Sequence, residues 1–171
     1  MSVASLNAQA VASGTIQFTG ELIASTCDVS VEGAGSDATV VLPKISTASL
    51  TTLNDVAGKT QFTMSLTQCT VAGNVAAYFE PGTTVDINGR LKNTSGTATN
   101  VALQFRDVND AVIKIGDVSQ QSGHFFAQSA ESGAGAADGS AELEYFVEYF
   151  AENTTTAGTV ASSVVYSIQY Q

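Results

Sequence analysis

No tryptophan occurs in this chain, and there is a single histidine, His124. The first absence removes the indole platforms on which sugars stack. The second leaves one candidate imidazole base and no histidine cluster for a metal. Basic residues are scarce: 6 Lys and Arg stand against 16 Asp and Glu, a formal charge of −10. Such a surface repels phosphate backbones and anionic lipid, which excludes nucleic-acid binding and disfavours membrane-surface binding. Charged residues total only 13%, against a usual quarter. No apolar run approaches the roughly 18 residues of a membrane-spanning helix. The two cysteines, Cys27 and Cys69, lie 42 positions apart, matching neither a CxxC redox pair nor a zinc cluster. One well-separated pair in a Thr- and Gly-rich chain reads as a structural disulfide and an oxidising compartment. Two buried free thiols in a cytosolic protein are the alternative.

What is present favours strands. The hydrophobic share is an ordinary 44% of 171 residues, enough for one domain that buries about two-thirds of its unfolded surface. Val, Ile, Thr, Tyr and Phe recur, punctuated by Gly and Asn. Residues 1–13 are small and polar and read as a loose arm. Ala8-Gln9-Ala10 has the form of a signal-peptidase site, without the basic and apolar regions of a leader before it. Then Gly14, Ile16, Phe18, Gly20 and Leu22 fall on one parity, and Thr15, Gln17, Thr19 and Glu21 on the other. That is the alternation of a half-buried strand. Glycine inside such a strand points to a close approach by another chain segment.

Further strands are expected at Cys27–Val31 and Ala38–Leu42, with a turn over 33–37 and Pro43 ending the second. Residues 46–58 read as a loop with one helical turn. Strands follow at Thr60–Val71, Val75–Phe79, Val101–Phe105 and Val112–Ile115. Asn88-Gly89 signals a two-residue hairpin between 85–87 and 90–92. The Gly-, Ala- and Ser-rich stretch 129–140 reads as a loop. Glu142–Phe150 and Val160–Tyr170 are the last strands, with Val164, Tyr166, Ile168 and Tyr170 on one parity. Seven to nine short strands with no helical period predict an all-β sandwich.

Catalytic motifs do not emerge. Asp107-Val108-Asn109-Asp110 opens like a calcium loop, but Val112 stands where that loop needs glycine, so it reads as a turn. Gly133-Ala134-Gly135 lacks the strand, the helix and the third glycine of a dinucleotide site. Glu142, Glu144, Glu148 and Glu152 suggest a solvated strand face; a carboxylate pair for glycoside hydrolysis is the competing reading. His124, beside Phe125 and Phe126, reads as a structural edge residue. Asn153-Thr154-Thr155 matches a glycosylation sequon. No cofactor and no metal is expected. A patterned strand behind a loose arm suits pairing with a neighbour's open sheet edge.

The ordered set of segments resembles the pilins of chaperone–usher fimbriae, closest to the type 1 shaft family. The segments are Gly14–Leu22; Cys27; Phe62–Cys69; Thr99-Asn100-Val101-Ala102-Leu103-Gln104-Phe105-Arg106-Asp107; Tyr145-Phe146-Val147-Glu148-Tyr149-Phe150-Ala151; and Ala157-Gly158 through Tyr166-Ser167-Ile168-Gln169-Tyr170-Gln171. Glu148 departs from the family's small or basic residue, and a solvent-facing position would tolerate it. Residues 1–13 are longer than the family's free arm.

The resemblance implies an incomplete immunoglobulin-like sandwich, completed by a donor strand from a neighbouring subunit. It places a donor extension at 1–23 and the pilin domain at 24–171. Gly14, Ile16, Phe18 and Gly20 would be donor positions. Tyr166, Ile168 and Tyr170 would border the groove and be gripped by a periplasmic chaperone. Cys27 and Cys69 sit where the family's disulfide sits. Implied partners are identical or related pilins, the chaperone, an outer-membrane usher and a tip adhesin. The implied location is a cell-surface fimbrium, reached through the periplasm, and the implied role is structural. A secreted monomeric binding module and a minor adaptor or terminator pilin are the alternatives.

Overall fold

The computed structural model describes residues 15–20, 22, 27–70, 73–128 and 139–171. Among these, nine strands form two antiparallel sheets: β1 (Asp28–Val31), β2 (Val56–Cys69), β3 (Gly73–Phe79), β4 (Leu91–Lys92), β5 (Val101–Arg106), β6 (Val112–Ile113), β7 (Phe126–Gln128), β8 (Gly139–Ala151) and β9 (Tyr166–Tyr170). The larger sheet runs β1-β2-β8-β5-β4, with β6 on β5; the smaller runs β7-β3-β9. The two sheets enclose one core, the packing expected of strands with one apolar face each. The architecture is an incomplete immunoglobulin-like sandwich.

Alternation decides which side chains enter that core. Phe62, Met64 and Leu66 on β2 point inward and are buried, as are Leu143, Tyr145 and Val147 on β8. Cys69 breaks the even-numbered parity yet is fully buried. The reason is a bulge: Leu66 pairs with Ala141 and Cys69 with Gly139, three steps against two. Gln68 inside it takes a φ of 55°, a left-handed value that costs a side-chain-bearing residue some strain. The bulge turns Cys69 inward, where it is disulfide-bonded to Cys27 with Cα atoms 4.3 Å apart. Asp28 pairs with Thr67, so the disulfide staples the end of that ladder.

Aromatic rings fill the centre. Phe79 stands edge-on to Phe105 at 4.8 Å and to Tyr145 at 5.2 Å between centroids, and Phe126 edge-on to Tyr145 at 5.5 Å. Edge-to-face pairs match positive ring edges to negative faces. The Tyr145 hydroxyl accepts the Ala77 N–H at 2.8 Å. Burial pushes its pKa up to about 12, because the phenolate would have no water.

Several expectations need correction. Ala38–Leu42 is extended but belongs to no strand, and Val160–Tyr170 is a strand only from Tyr166. Both alternate; neither stretch finds a ladder partner among the described residues. β2 starts at Val56, inside the expected loop, whose helical turn is a 3-10 turn at Thr47–Ser49. β6 is shorter than expected, and β7 was not foreseen. Asn88-Gly89 does turn, but the loop is three residues long: the Asp86 N–H donates to the Arg90 carbonyl at 2.8 Å, and Gly89 takes φ 77°. A type I turn closed by left-handed glycine gives this geometry. The loop 129–140 lies outside the described residues up to 138.

Glu148 is not solvated. It is 3% exposed on the outer face of the larger sheet. It accepts from Arg106 Nε at 2.6 Å and from Gln104 Nε2 at 2.9 Å. Gln104 is its direct cross-strand neighbour, so the sequence placed a partner where the sheet needed one. A charge so enclosed persists only when paired and hydrogen-bonded.

Candidate functional site

The sandwich is open along one side. Two extended segments face each other there, residues 36–42 and residues 162–166. Between them lies a groove of about 420 Å³ whose floor is core: Phe62, Phe79, Leu103, Phe105 and Val147 line it. β1 and β9 are the edge strands on either side, since each pairs on one side only. Along one wall, Val160, Val164 and Tyr166 pack on the core; along the other, Val40 and Leu42 do the same. The opposite parity is exposed, with Val41 at 81% and Val165 at 72%. The carbonyls of Ala161 and Val165 turn away from the groove, to the N–H groups of Thr94 and Glu80. The wall is therefore built as a strand: inward side chains on the core, one main-chain edge used, and the groove-side edge without a ladder. Ser162 Oγ, on the groove wall, is buried without a hydrogen-bond partner.

The arm displays the complementary surface. Residues 15–20 and 22 are all exposed. Ile16 is 76%, Phe18 89% and Leu22 102% exposed. Large side chains at alternate positions in water are costly, about 1.5–3 kcal/mol each relative to burial. Gly20 has open space around it. Gly14 lies outside the described residues.

Of the expected groove-edge residues, Tyr166 lines the groove directly. Ile168 and Tyr170 follow on the same wall and pack on the core, beyond the groove's lining. Hydroxyl bonds cross from this wall to the other. Tyr166 donates to the Ser36 carbonyl at 2.7 Å, and the Cys27 N–H donates to the Tyr170 hydroxyl at 3.4 Å. Burial, and after it the Asp37 carboxylate, raises the Tyr166 pKa. Sequence reading missed Val40, Leu42, Ser162 and the floor residues as parts of a site. The alternation of both walls was visible, but not that each lacks a partner.

The other candidates are structural. Asp107 accepts the N–H groups of Asn109 and Ala111 and closes the turn once compared with a calcium loop. Burial opposes its ionisation, but these bonds and His124 Nδ1 at 2.7 Å lower its pKa overall. That occupies His124. Glu142 accepts from Ser65 Oγ at 2.8 Å. No group of three metal-ligating side chains occurs among the described residues. No helix among the described residues is long and apolar enough to cross a membrane.

Comparisons with known proteins identify the family. The family model described as "FimA: Type-1 fimbrial protein, A" matches residues 42–171. The chain is 45% identical over 139 residues to the major fimbrial subunit SMF-1 of Stenotrophomonas maltophilia (strain K279a), covering 79% of each chain. It is 36% identical over 127 residues to the F17 fimbrial protein of Escherichia coli, covering 70% of this chain and 69% of that one. Among solved structures, the P pilus rod subunit PapA superposes with a TM-score of 0.58 at 15% identity, over 85% of this chain and 99% of that one. A Burkholderia pseudomallei antigen and type I fimbria protein superposes with a TM-score of 0.52 at 22% identity, over 85% and 95%. At such identities the two structures speak to the fold.

Proposed function

This chain belongs to the type-1 fimbrial protein family and is a structural pilin of an extracellular fimbrium, and from that premise we propose that its subunits polymerise by strand donation. Residues 1–23 of one copy are the donor, and the groove of residues 24–171 in the next copy is the acceptor. One observation carries the reading: a groove floored by core residues stands open while Ile16, Phe18 and Leu22 stand in water.

The lengths agree. Gly14–Leu22 extended spans about 30 Å, and the wall from Val160 to Tyr170 about 35 Å, at roughly 3.3 Å per residue. A seated donor of about ten residues gains roughly as many main-chain hydrogen bonds, each worth about 1 kcal/mol net. Burying Ile16 and Phe18 adds about 1.5–3 kcal/mol apiece. Gly14 and Gly20 are the remaining donor positions, with no side chain to accommodate. Because donor and acceptor are different surfaces, the contact does not close on itself and extends into a filament. Before assembly the groove exposes core, so a periplasmic chaperone covers it in transit. Tyr166, Ile168 and Tyr170 lie on the wall such a chaperone pairs with. Export continues through an outer-membrane usher, and a separate tip adhesin carries binding.

The test is an SDS gel, boiled and unboiled, of the full chain and of a chain lacking residues 1–23, with negative-stain microscopy of both. A ladder and fibres from the full chain alone are expected. Monomer bands and no fibres from both, after productive folding, would overturn strand donation and favour a monomeric binding module.

A further inference from the structure

Tyrosine side chains already span the gap in which a donor strand would lie. Strands that flank an inserted strand stand about 10 Å apart, twice the ladder spacing. A tyrosine side chain plus one hydrogen bond covers that distance. Tyr166 leaves the β9 wall, lines the groove, and donates across it to the Ser36 carbonyl at 2.7 Å. Tyr170, two inward positions further along β9, accepts the Cys27 N–H at 3.4 Å. Both partners are main-chain groups, one on the opposite wall and one just before β1, the edge strand on that side, the kind a ladder strand would engage. The molecule uses the same device elsewhere: the Gln120 amide accepts the Phe79 N–H at 3.1 Å and donates to the Phe79 carbonyl at 3.2 Å, standing in for a strand beside β3.

We propose that Tyr166 and Tyr170 are placeholders for the donor strand. Their hydroxyls hold the Ser36 carbonyl and the Cys27 N–H of the free subunit, and they release these groups to the incoming arm. This rests on the strand-donation reading. The placeholders keep the two walls at the separation the donor needs and satisfy main-chain groups that have no other hydrogen-bond partner among the described residues. They also resist entry of the arm at that end of the groove. Tyr166 remains a donor throughout the neutral range, its pKa being raised by burial and Asp37.

The experiment uses the full chain, released from fibres by denaturant and returned to buffer, with ladder growth timed on unboiled gels. Tyr166→Phe keeps the ring and loses the bond. Its ladder should grow about fivefold faster, the fold-change equivalent to one net hydrogen bond, while its finished fibres resist denaturant as wild type does. An unchanged rate, or weaker fibres at an unchanged rate, would mean a permanent tie and overturn the placeholder. Absence of any wild-type ladder would instead sink strand donation, and the placeholder with it. A second measurement needs no variant. Ultraviolet resonance Raman spectra of wild-type monomer and fibre should show the loss of a strong tyrosine donor bond on assembly, and identical spectra would also overturn the proposal.

Discussion

The β2–β8 ladder and the pair of segments at 36–42 and 160–166 have the same sequence pattern and opposite fates. Between β2 and β8, seven residues in succession find cross-strand partners, from Thr60↔Val147 to Leu66↔Ala141, and Cys69↔Gly139 follows past the bulge. The groove walls alternate just as well, pack Val40, Leu42, Val160 and Val164 on the same core, and have no ladder between them. Alternation therefore encodes a strand's two faces and says nothing of where its edges pair. In the closed half the partner lies in the same chain. In the open half no described segment of the chain fills the gap, while residues 15–20 and 22 stand exposed.

That contrast can be broken most completely from the arm. Phe18→Asp should abolish fibres on negative stain. The same change should move the urea midpoint of the monomer hardly at all, since Phe18 is 89% exposed there and isolated surface substitutions stay within about 0.5 kcal/mol. The joint between the two halves comes next. Replacing Cys27 and Cys69 by serine opens a link 42 residues long, and should cost the monomer about 4 kcal/mol in denaturant unfolding.

A finer test compares two apolar truncations. Leu143 is fully buried in the closed half, so Leu143→Ala should cost about 2–5 kcal/mol in monomer and fibre alike. Val164→Ala on the groove wall should cost well under 1 kcal/mol in the monomer, because the wall is half open, and more in the fibre. Equal costs for Val164→Ala in both states would mean that nothing seats beside it.

The smallest effect is on acid stability. The pKa of Asp107 is lowered in the folded chain; burial works against this, and the bonds from Ala111, His124 and Asn109 prevail. A lowered carboxyl pKa adds stability that is present above about pH 4 and is lost as pH falls through the folded value. Asp107→Asn should flatten that loss in an acid titration followed by circular dichroism. The loss should be the same size in monomer and fibre, because Asp107 does not line the groove.

Much of the fold was legible. Period-two runs located the cores of β2, β3, β5 and β8, and the lone cysteine pair predicted the staple. Some features were not legible because they depend on neighbours. Cys69 breaks parity, and only the bulge against β8 makes it inward-facing. Glu148 reads as solvated in a row of glutamates. Its burial is decided by Gln104 and Arg106 arriving on β5. Asn88-Gly89 fixed a turn, but Asp86 lengthened the loop by taking the N–H groups of Asn88 and Arg90.

By itself, then, the sequence determined the two-faced strands, the cysteine pair and an amphipathic arm set apart at the start of the chain, because side-chain parity and spacing are local properties. Only the tertiary structure decided that the walls of 36–42 and 162–166 enclose an unfilled groove, and that Tyr166 reaches across it. Which edge stays unpaired depends on the register of every other strand, and no single segment carries that information.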